Sequence, residues 1–432
     1  MARTDPDVIV VGGGLAGLTA TAYLARAGSR VVLLEKAAQP GGRARTRTLD
    51  GFDFNVGPHA LYRTGVGIRI LRELGVPVSG GRPATAGGYA VRAGALHTLP
   101  AGLVSLLTTG LLRAREKVAL ARLLSRLPQA DLRPLQDVPL AAWLARIPSA
   151  TVRDLMAGIA RVTTYADDPE RMSAGATLEQ VRLGLRGVLY LHRGWQTLVD
   201  GLRQAAEASG ARVLAERRAT AVERDRGVRG VRLEDGTVVG AEAVIIAGSP
   251  SMAEELTANG GATSISDWAR HAVPVRAATL DVALSQLPRP HATFAMGTDQ
   301  PLYASVHSAV ARLAPEKGAL VHVMRYGGLG VRTPAAVEAQ LEELLDLLQP
   351  GWRAHVAHRR FVPGLIVSNA VVEAATSGTA GRPGPRVPDV RGLYVAGDWV
   401  GPDGMLADAG LASARAAARA VLEDAARATS AA

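Results

Sequence analysis

Four apolar residues in a row, Val8–Val11, run into a glycine-rich turn, and the stretch that follows (15–27) repeats its apolar positions at helical spacing. An unbroken β-branched run of this length predicts a strand buried on both faces. Gly28 closes the helix and residues 30–34 predict a second strand, so a strand–helix–strand unit opens the chain. From about 101 to 191 the pattern turns mostly helical, with Leu112, Leu120, Leu123, Leu124 and Leu127 falling on one repeat. A further helix over 195–209 ends at Gly210. Strands are then expected at Arg212–Leu214, 220–224, Val228–Leu233 and 237–247, with a Glu234-Asp235-Gly236 turn before the last. Between 251 and 380, strands at 278–284, 319–325 and 354–361 accompany a helix over Pro334–Leu348. A proline- and glycine-punctuated connector (381–388) leads to a short strand at 393–396 and an alanine-rich C-terminal helix.

These pieces predict an α/β protein in two discontinuous parts. Residues 1–75, 192–250 and 381–432 are expected to form one domain around a parallel sheet. Residues 76–191 and 251–380 are expected to form an α+β domain that holds the substrate. A chain of 432 residues is long enough for both.

Gly12-Gly13-Gly14-Leu15-Ala16-Gly17 puts glycines at the three positions of G-x-G-x-x-G, between a strand and a helix. Gly12 permits the tight turn, Gly14 lets a pyrophosphate approach the backbone, and Gly17 lets helix and strand pack closely. The helix start at Leu15 and Ala16 turns its unpaired N–H groups toward the phosphates. Glu35 ends the second strand, 18 residues beyond Gly17, close to where an acid bonds a ribose hydroxyl. The pattern predicts a Rossmann-like dinucleotide site, and the acid favours FAD or NAD over NADP.

Composition narrows the remaining classes. The absence of cysteine excludes disulfides, thiolate metal sites, iron–sulfur clusters and a cysteine nucleophile, and fits a reducing, cytoplasmic setting. The nine histidines are scattered without metal-ligand spacing, so no metal is expected. The net charge is +10, and all of the 49 basic residues except Lys36, Lys117 and Lys317 are arginine. They are dispersed, with no basic run longer than Arg217-Arg218 or Arg359-Arg360, and aromatics make up only 4%. Phosphate-backbone binding needs a concentrated basic stripe, so nucleic acid is not an expected partner. Val8–Val11 is too short for a signal-peptide core, and no stretch approaches the roughly 20 apolar residues of a spanning helix. The nearest, 101–112, precedes Arg113 and Arg115. It reads as a buried helix or pocket wall, or alternatively as a patch dipping into one leaflet through which a lipid-like substrate enters.

After Glu35-Lys36 the chain reads Gln39-Pro40-Gly41-Gly42-Arg43-Ala44-Arg45-Thr46. This resembles the extended motif of the flavin amine oxidase and phytoene desaturase superfamily, which includes protoporphyrinogen oxidases. There the Gly-Gly-Arg runs beside the FAD pyrophosphate. Asn55-Val56-Gly57-Pro58-His59-Ala60 is similar to that family's loop against the isoalloxazine ring. Residues 192–202 resemble its middle helix motif, and Gly397-Asp398-Trp399 followed by 404–409 resembles its closing FAD motif. The resemblance implies FAD, with Lys36, Gly41, Gly42, Arg43, Gly57, Pro58, His59, Ala60 and Gly397 around it. It further implies that Asp398 holds ribityl or phosphate groups, that Met405 and Leu406 face the flavin O2, and that Ala219 supplies a backbone contact to adenine. Residues 76–190 and 251–380 match no motif, and the substrate is expected there.

In such a family the flavin accepts a hydride from a substrate C–H while the protein supplies position and electrostatics. His59 is the first acid–base candidate because an imidazole titrates near neutral pH and its loop lies at the ring by resemblance. Tyr62 follows, Trp399 is expected as a pocket wall beside the ring, and Arg161, Tyr165, His322 and Arg325 are further candidates in the unmatched parts. Many of the family's amine oxidases place a lysine near flavin N5, whereas residues 273–283 contain none, which counts against an amine oxidase. The reading is an FAD-dependent oxidoreductase acting on a hydrophobic small molecule such as a polyene, isoprenoid or natural-product intermediate. Oxygen or a quinone would serve as acceptor, with peripheral membrane contact. The alternatives are a flavin amine oxidase, a redox-neutral isomerase, or a flavin-binding protein without turnover.

Overall fold

The computed structural model describes residues 5–84, 87–258 and 262–431. Positions 1–4, 85–86, 259–261 and 432, which the expected domain segments include, lie outside the described residues. Five strands form a parallel sheet in the order Arg212–Leu214, Val31–Leu34, Val8–Val11, Ala243–Ile246, Leu393–Val395. Helices Leu15–Arg26, Gln196–Ala208 and Leu406–Ala431 pack on one face, where Leu18, Leu24, Leu198, Leu202 and Leu411 meet Val8, Val10, Leu33 and Ile245. The opposite face sends out Ile9, Val11, Leu34, Val244 and Ile246. Both faces are covered, so the central strands read as continuous apolar runs without alternation.

The run expected as one strand over 237–247 is divided between two sheets. Val238–Gly240 pairs antiparallel with Val228–Leu233 in a small three-stranded sheet, and Ala243–Ile246 joins the parallel sheet beside Val8–Val11. Ala241 and Glu242 make the change of direction, donating to the carbonyls of Arg229 and Asp7. Helices Pro250–Thr257 and Thr263–His271 also depart from expectation. They bury Ala253, Leu256 and Ile265 against the parallel sheet and not in the substrate-holding part, because the first of them leaves the strand Ala243–Ile246 after a three-residue link.

A second sheet has seven strands in the order Val356–Ser368, Val275–Leu284, Ala319–Tyr326, Leu302–Val306, Phe294–Gly297, Gly88–Arg92, Ala95–Thr98. Its faces differ in chemistry. Ala278, Leu280, Val282, Leu284, Val321 and Val323 pack under the helix Pro334–Leu348. The alternate residues Thr279, Asp281, His322, Met324 and Tyr326 point to the other side. The edge strand is longer than the 354–361 expected, since Pro363 and Gly364 read as its end. At a sheet edge a proline's missing N–H costs no ladder bond, so the strand continues to Ser368.

Helices Ala114–Arg126, Ala150–Thr164 and Ala174–Leu185 complete the layer over this sheet. The segment 101–112 is neither a buried helix nor a cavity wall. Its helix, Leu103–Thr108, leaves Leu103, Val104 and Leu107 at 73%, 75% and 65% exposure, and only Leu111 and Leu112 reach the core. The six residues make less than two turns, too short a helix to bury a continuous stripe. Among the described residues no helix is long and apolar enough to cross a membrane.

Candidate functional site

The site begins at the turn after Val8–Val11. Gly12 has φ +109°, and a β-carbon there would lie 2.5 Å from the Ala247 carbonyl oxygen. A β-carbon on Gly17 would lie 1.8 Å from the Gly12 oxygen, so helix and strand touch through bare backbone. One at Gly14 would meet nothing within 4 Å. Space is therefore kept open at Gly14 for something other than protein. Glu35 ties the turn together: its Oε2 accepts from Gly13 N at 2.7 Å and its Oε1 from Ala37 N at 2.8 Å. Each oxygen retains acceptor capacity for a hydroxyl.

A cavity of about 710 Å³ runs along this turn. Gly12, Gly14, Leu15, Ala16, Glu35, Lys36, Gly41, Gly42, Arg43 and Ala219 line it, as do Pro58, His59, Ala60, Tyr62, Gly397, Asp398 and Leu406. Three expected cofactor residues stand behind the wall. Gly17 is consumed by packing against Gly12, and Gly57 closes the loop that carries His59 by accepting from its ring. Met405 turns away to pack with Ala176 and Val372, because the C-terminal helix starts only at Leu406.

Arg43 and Asp398 close the site across 355 residues of chain. Arg43 Nη1 lies 2.8 Å from Asp398 Oδ2 and also donates to the Val367 carbonyl, while Asn369 Nδ2 donates to Asp398 Oδ1 at 2.8 Å. Burial opposes the charge on Asp398, but Arg43 and Asn369 more than offset it and hold the carboxyl below its usual range. Asp408 behaves in the opposite way. Burial pushes it up to about 6 against the pull of its bond from Gly67 N, and its Oδ2 has no partner among the described residues.

The three catalytic candidates separate. His59 lies in the cavity wall, its Nδ1 3.0 Å from the Gly57 carbonyl and its ring 4.9 Å from that of Trp195. Burial lowers its pKa to about 4, with His322 and Arg43 adding to the effect and the Gly57 bond opposing it. The expectation of titration near neutrality is thereby corrected: the ring is neutral at pH 7, with Nδ1–H donated and Nε2 free to accept. Tyr62 also lines the cavity, but its hydroxyl donates to the Thr163 carbonyl at 2.6 Å and burial raises its pKa. It is a wall residue. Trp399 does not reach the cavity: its indole donates to the Gly248 carbonyl at 2.8 Å and packs against Trp268 under the parallel sheet.

Among the further candidates, Tyr165 lines the cavity. Arg161 instead pairs with Asp167 and caps the carbonyls of Gly297 and Thr298, and Arg325 donates to Gly328. Sequence reading missed Met324, Asn369, Asp408 and the edge strand residues Val362, Leu365 and Val367. Asp408 alone carried a signal, as an acid in the first turn of the alanine-rich C-terminal helix.

The cavity fits FAD. Gly14 leaves the space a pyrophosphate needs, Glu35 keeps lone pairs for a ribose, and the buried Trp195 Nε1 lacks a partner among the described residues. Fold and site together define a dinucleotide-binding α/β protein with a second sheet closing over the cofactor cavity. The sequence profile of the family described as flavin-containing amine oxidoreductase matches residues 15–422, and the chain belongs to that family. Flavin is its cofactor, and the dinucleotide turn makes the flavin FAD.

A carotenoid 3,4-desaturase of Haloarcula japonica is 60% identical over 52 residues, 12% of this chain and 10% of that protein. A protoporphyrinogen oxidase of Bos taurus is 41% identical over 119 residues, 25% of this chain and 24% of that protein. The matched segments thus span a quarter or less of these curated relatives. An oxidoreductase structure from Methanosarcina mazei superimposes with a TM-score of 0.73 over 96% of this chain and 99% of that one, at 17% identity.

The two glycines give a paired test. Gly17→Val should fail to fold, since a side chain there meets backbone directly. Gly14→Val should fold with an unchanged circular dichroism spectrum and melt, yet purify without flavin. A flavin-loaded Gly14→Val protein would show that the cofactor lies elsewhere.

Proposed function

We propose that this oxidoreductase oxidises a hydrophobic small molecule, a polyene, isoprenoid or related biosynthetic intermediate, by removing a hydride from one of its C–H bonds. One observation carries the reading. Where the helical layer and the seven-stranded sheet contribute to the cavity, through Tyr165, Met324, Val362, Leu365 and Val367, they contribute no charged side chain. A cationic amine meets no carboxylate on these elements, and Asp408, which the closing helix adds to the cavity, is pushed by burial towards its neutral form, while an apolar chain finds aromatic and aliphatic contacts. The carotenoid desaturase and protoporphyrinogen oxidase relatives support the same substrate class.

FAD when bound supplies the hydride acceptor. The chain's own residues do the rest. The turn at Gly12–Gly17, Glu35 and the Arg43–Asp398 pair hold the dinucleotide, and the apolar wall excludes water and fixes the substrate C–H in line with the ring. His59 offers a neutral Nε2 to any proton that leaves with the hydride.

Anaerobic mixing of the flavin-loaded protein with polyenes, porphyrinogens and aliphatic amines tests the reading through bleaching of the flavin band. A polyene-type substrate should bleach it and air or a quinone restore it. Bleaching by amines alone, or by nothing, would favour the amine oxidase or the non-redox alternatives. With that substrate, reduction should be flat from pH 8 to 5 and fall towards pH 4, where His59 takes a proton and can no longer accept one. His59→Ala should slow it by about 10²–10⁴-fold if the ring is the base.

The exposed Leu103, Val104 and Leu107 are followed in the chain by the exposed Arg113, Arg115, Arg122 and Arg126, and Lys117 donates to the Leu107 carbonyl. We infer that this face rests on an anionic lipid surface, from which an apolar substrate is drawn. Co-sedimentation with phosphatidylglycerol vesicles should be salt-sensitive and should be lost in Leu103→Asp/Leu107→Asp with flavin content intact. Equal binding by that variant would end the inference.

A further inference from the structure

The cavity-side face of the seven-stranded sheet carries a row of polar side chains across four strands. Asp281 lies opposite Arg360 on one neighbour and His322 on the other, and His322 lies opposite Ser305. His322 Nδ1 is 2.7 Å from Asp281 Oδ1, with both side chains fully buried. Arg360 donates to Asp281 Oδ2 through Nη2 at 2.5 Å and Nε at 3.2 Å. Along the same face the next row holds Thr279, Met324 and Val362, the last two in the cavity wall.

The row and its neighbour each reach the loop that presents His59 at one point. Arg360 donates to the carbonyl of Asn55, and a β-carbon on Gly57 would lie 3.3 Å from Thr279 Cγ2. Such a row is expensive. A buried ion pair adds little stability over an apolar filling, and His322 Nε2 and His307 Nδ1 have no partner among the described residues. Buried polar groups kept at that cost, one row from a cofactor cavity, call for a chemical role.

We propose that Arg360, Asp281 and His322 are positioning residues for the reaction: they hold the loop that carries His59 and, by their charge, bias how readily its ring accepts a proton. The inference rests on the reading of the cavity as a flavin site. Asp281 is an acceptor only, held ionised because His322 and Arg360 more than offset its burial, so the His322 proton sits on Nδ1 and Nε2 is bare. The groups facing His322 are Asp281 on its neighbouring strand, Arg360 beyond it, Ser305 and Tyr303 on the other neighbour, His307 with its ring centroid 4.6 Å away, and His59 across the interface. Tyr190 stacks on His307 at 3.7 Å. Asp281 favours a proton on His59, whereas His322 and Arg43 disfavour it. Substitutions within the row therefore act on His59 with opposite signs.

Nitrogen-15 NMR of histidine-labelled, FAD-loaded protein, titrated from pH 8 to 4 with His59→Gln for assignment, reads this directly. His322→Gln should move the His59 midpoint up by about half a pH unit or more, and Asp281→Asn should move it down. Both should retain wild-type flavin content. Upward movement in both variants would mean that the row only shields the loop from water, and unmoved midpoints would mean that it does not act on His59; either overturns the proposal. Should Asp281→Asn fail to fold, the wild-type titration decides. His322 must then show Nδ1–H with a bare Nε2 at pH 8; a proton on Nε2 instead overturns the row. A wild-type protein that binds no FAD refutes the flavin reading itself, a result distinct from a loaded protein whose His59 is unmoved.

Discussion

The strand Val8–Val11 hands the chain to the helix Leu15–Arg26 with no side chain between them, and the rest of the molecule is arranged around that contact. Gly17 sits so close to the Gly12 carbonyl that even a methyl group is excluded. The contact aims the helix start at the cavity and lets Glu35, at the end of the neighbouring strand, reach back to Gly13. A helix N-terminus pointed in this way is an anion site before any side chain is considered. Glu35, the Gly41–Arg43 loop and the closing helix Leu406–Ala431 then take their places beside it.

Convergence from remote segments does the rest. Arg43 belongs to the first turn after the opening unit, Asp398 to the loop after the last parallel strand, and Val367 and Asn369 to the edge of the second sheet; a single guanidinium and a single carboxylate tie them. The site is therefore as rigid as the junction between its two sheets. The same junction explains the division of labour in the cavity. The charged side chains Glu35, Arg43 and Asp398 come from the parallel-sheet side, and the second sheet adds the apolar Met324, Val362 and Leu365.

The opening unit, the dinucleotide turn and its acid were legible because their chemistry is local: each needs particular residues at short, fixed spacings. The motif blocks carrying Arg43, His59 and Asp398 were legible by resemblance. What stayed hidden depends on partners far away in sequence. Val275–Leu284 is buried except at Arg276, so its two chemically distinct faces show only once the helix Pro334–Leu348 covers one of them. Asp281 and His322 are 41 residues apart and mark nothing on their own. Trp399 looked like a cavity residue from its place beside Asp398, but in a loop leaving a strand, successive side chains diverge, and this one goes beneath the sheet. Residues 101–112 were judged by apolar content, which does not tell a buried helix from an exposed one.

The order of the parallel sheet carries a consequence for how the protein is made. Leu393–Val395 pairs with Ala243–Ile246, which pairs in turn with Val8–Val11, so one outer strand of the sheet is translated last. At about 5–20 residues per second, the 355 residues between Arg43 and Asp398 take tens of seconds to appear. Until Arg212–Leu214 and Ala243–Ile246 have been made, the nascent chain carries Val8–Val11 and Val31–Leu34 as apolar, uncharged segments whose outer neighbours do not yet exist. Long-range parallel pairing of this kind folds slowly and leaves strand edges open to the wrong partner. Yield in a foreign host should accordingly depend more on chaperone supply and translation speed than on the stability of the finished protein.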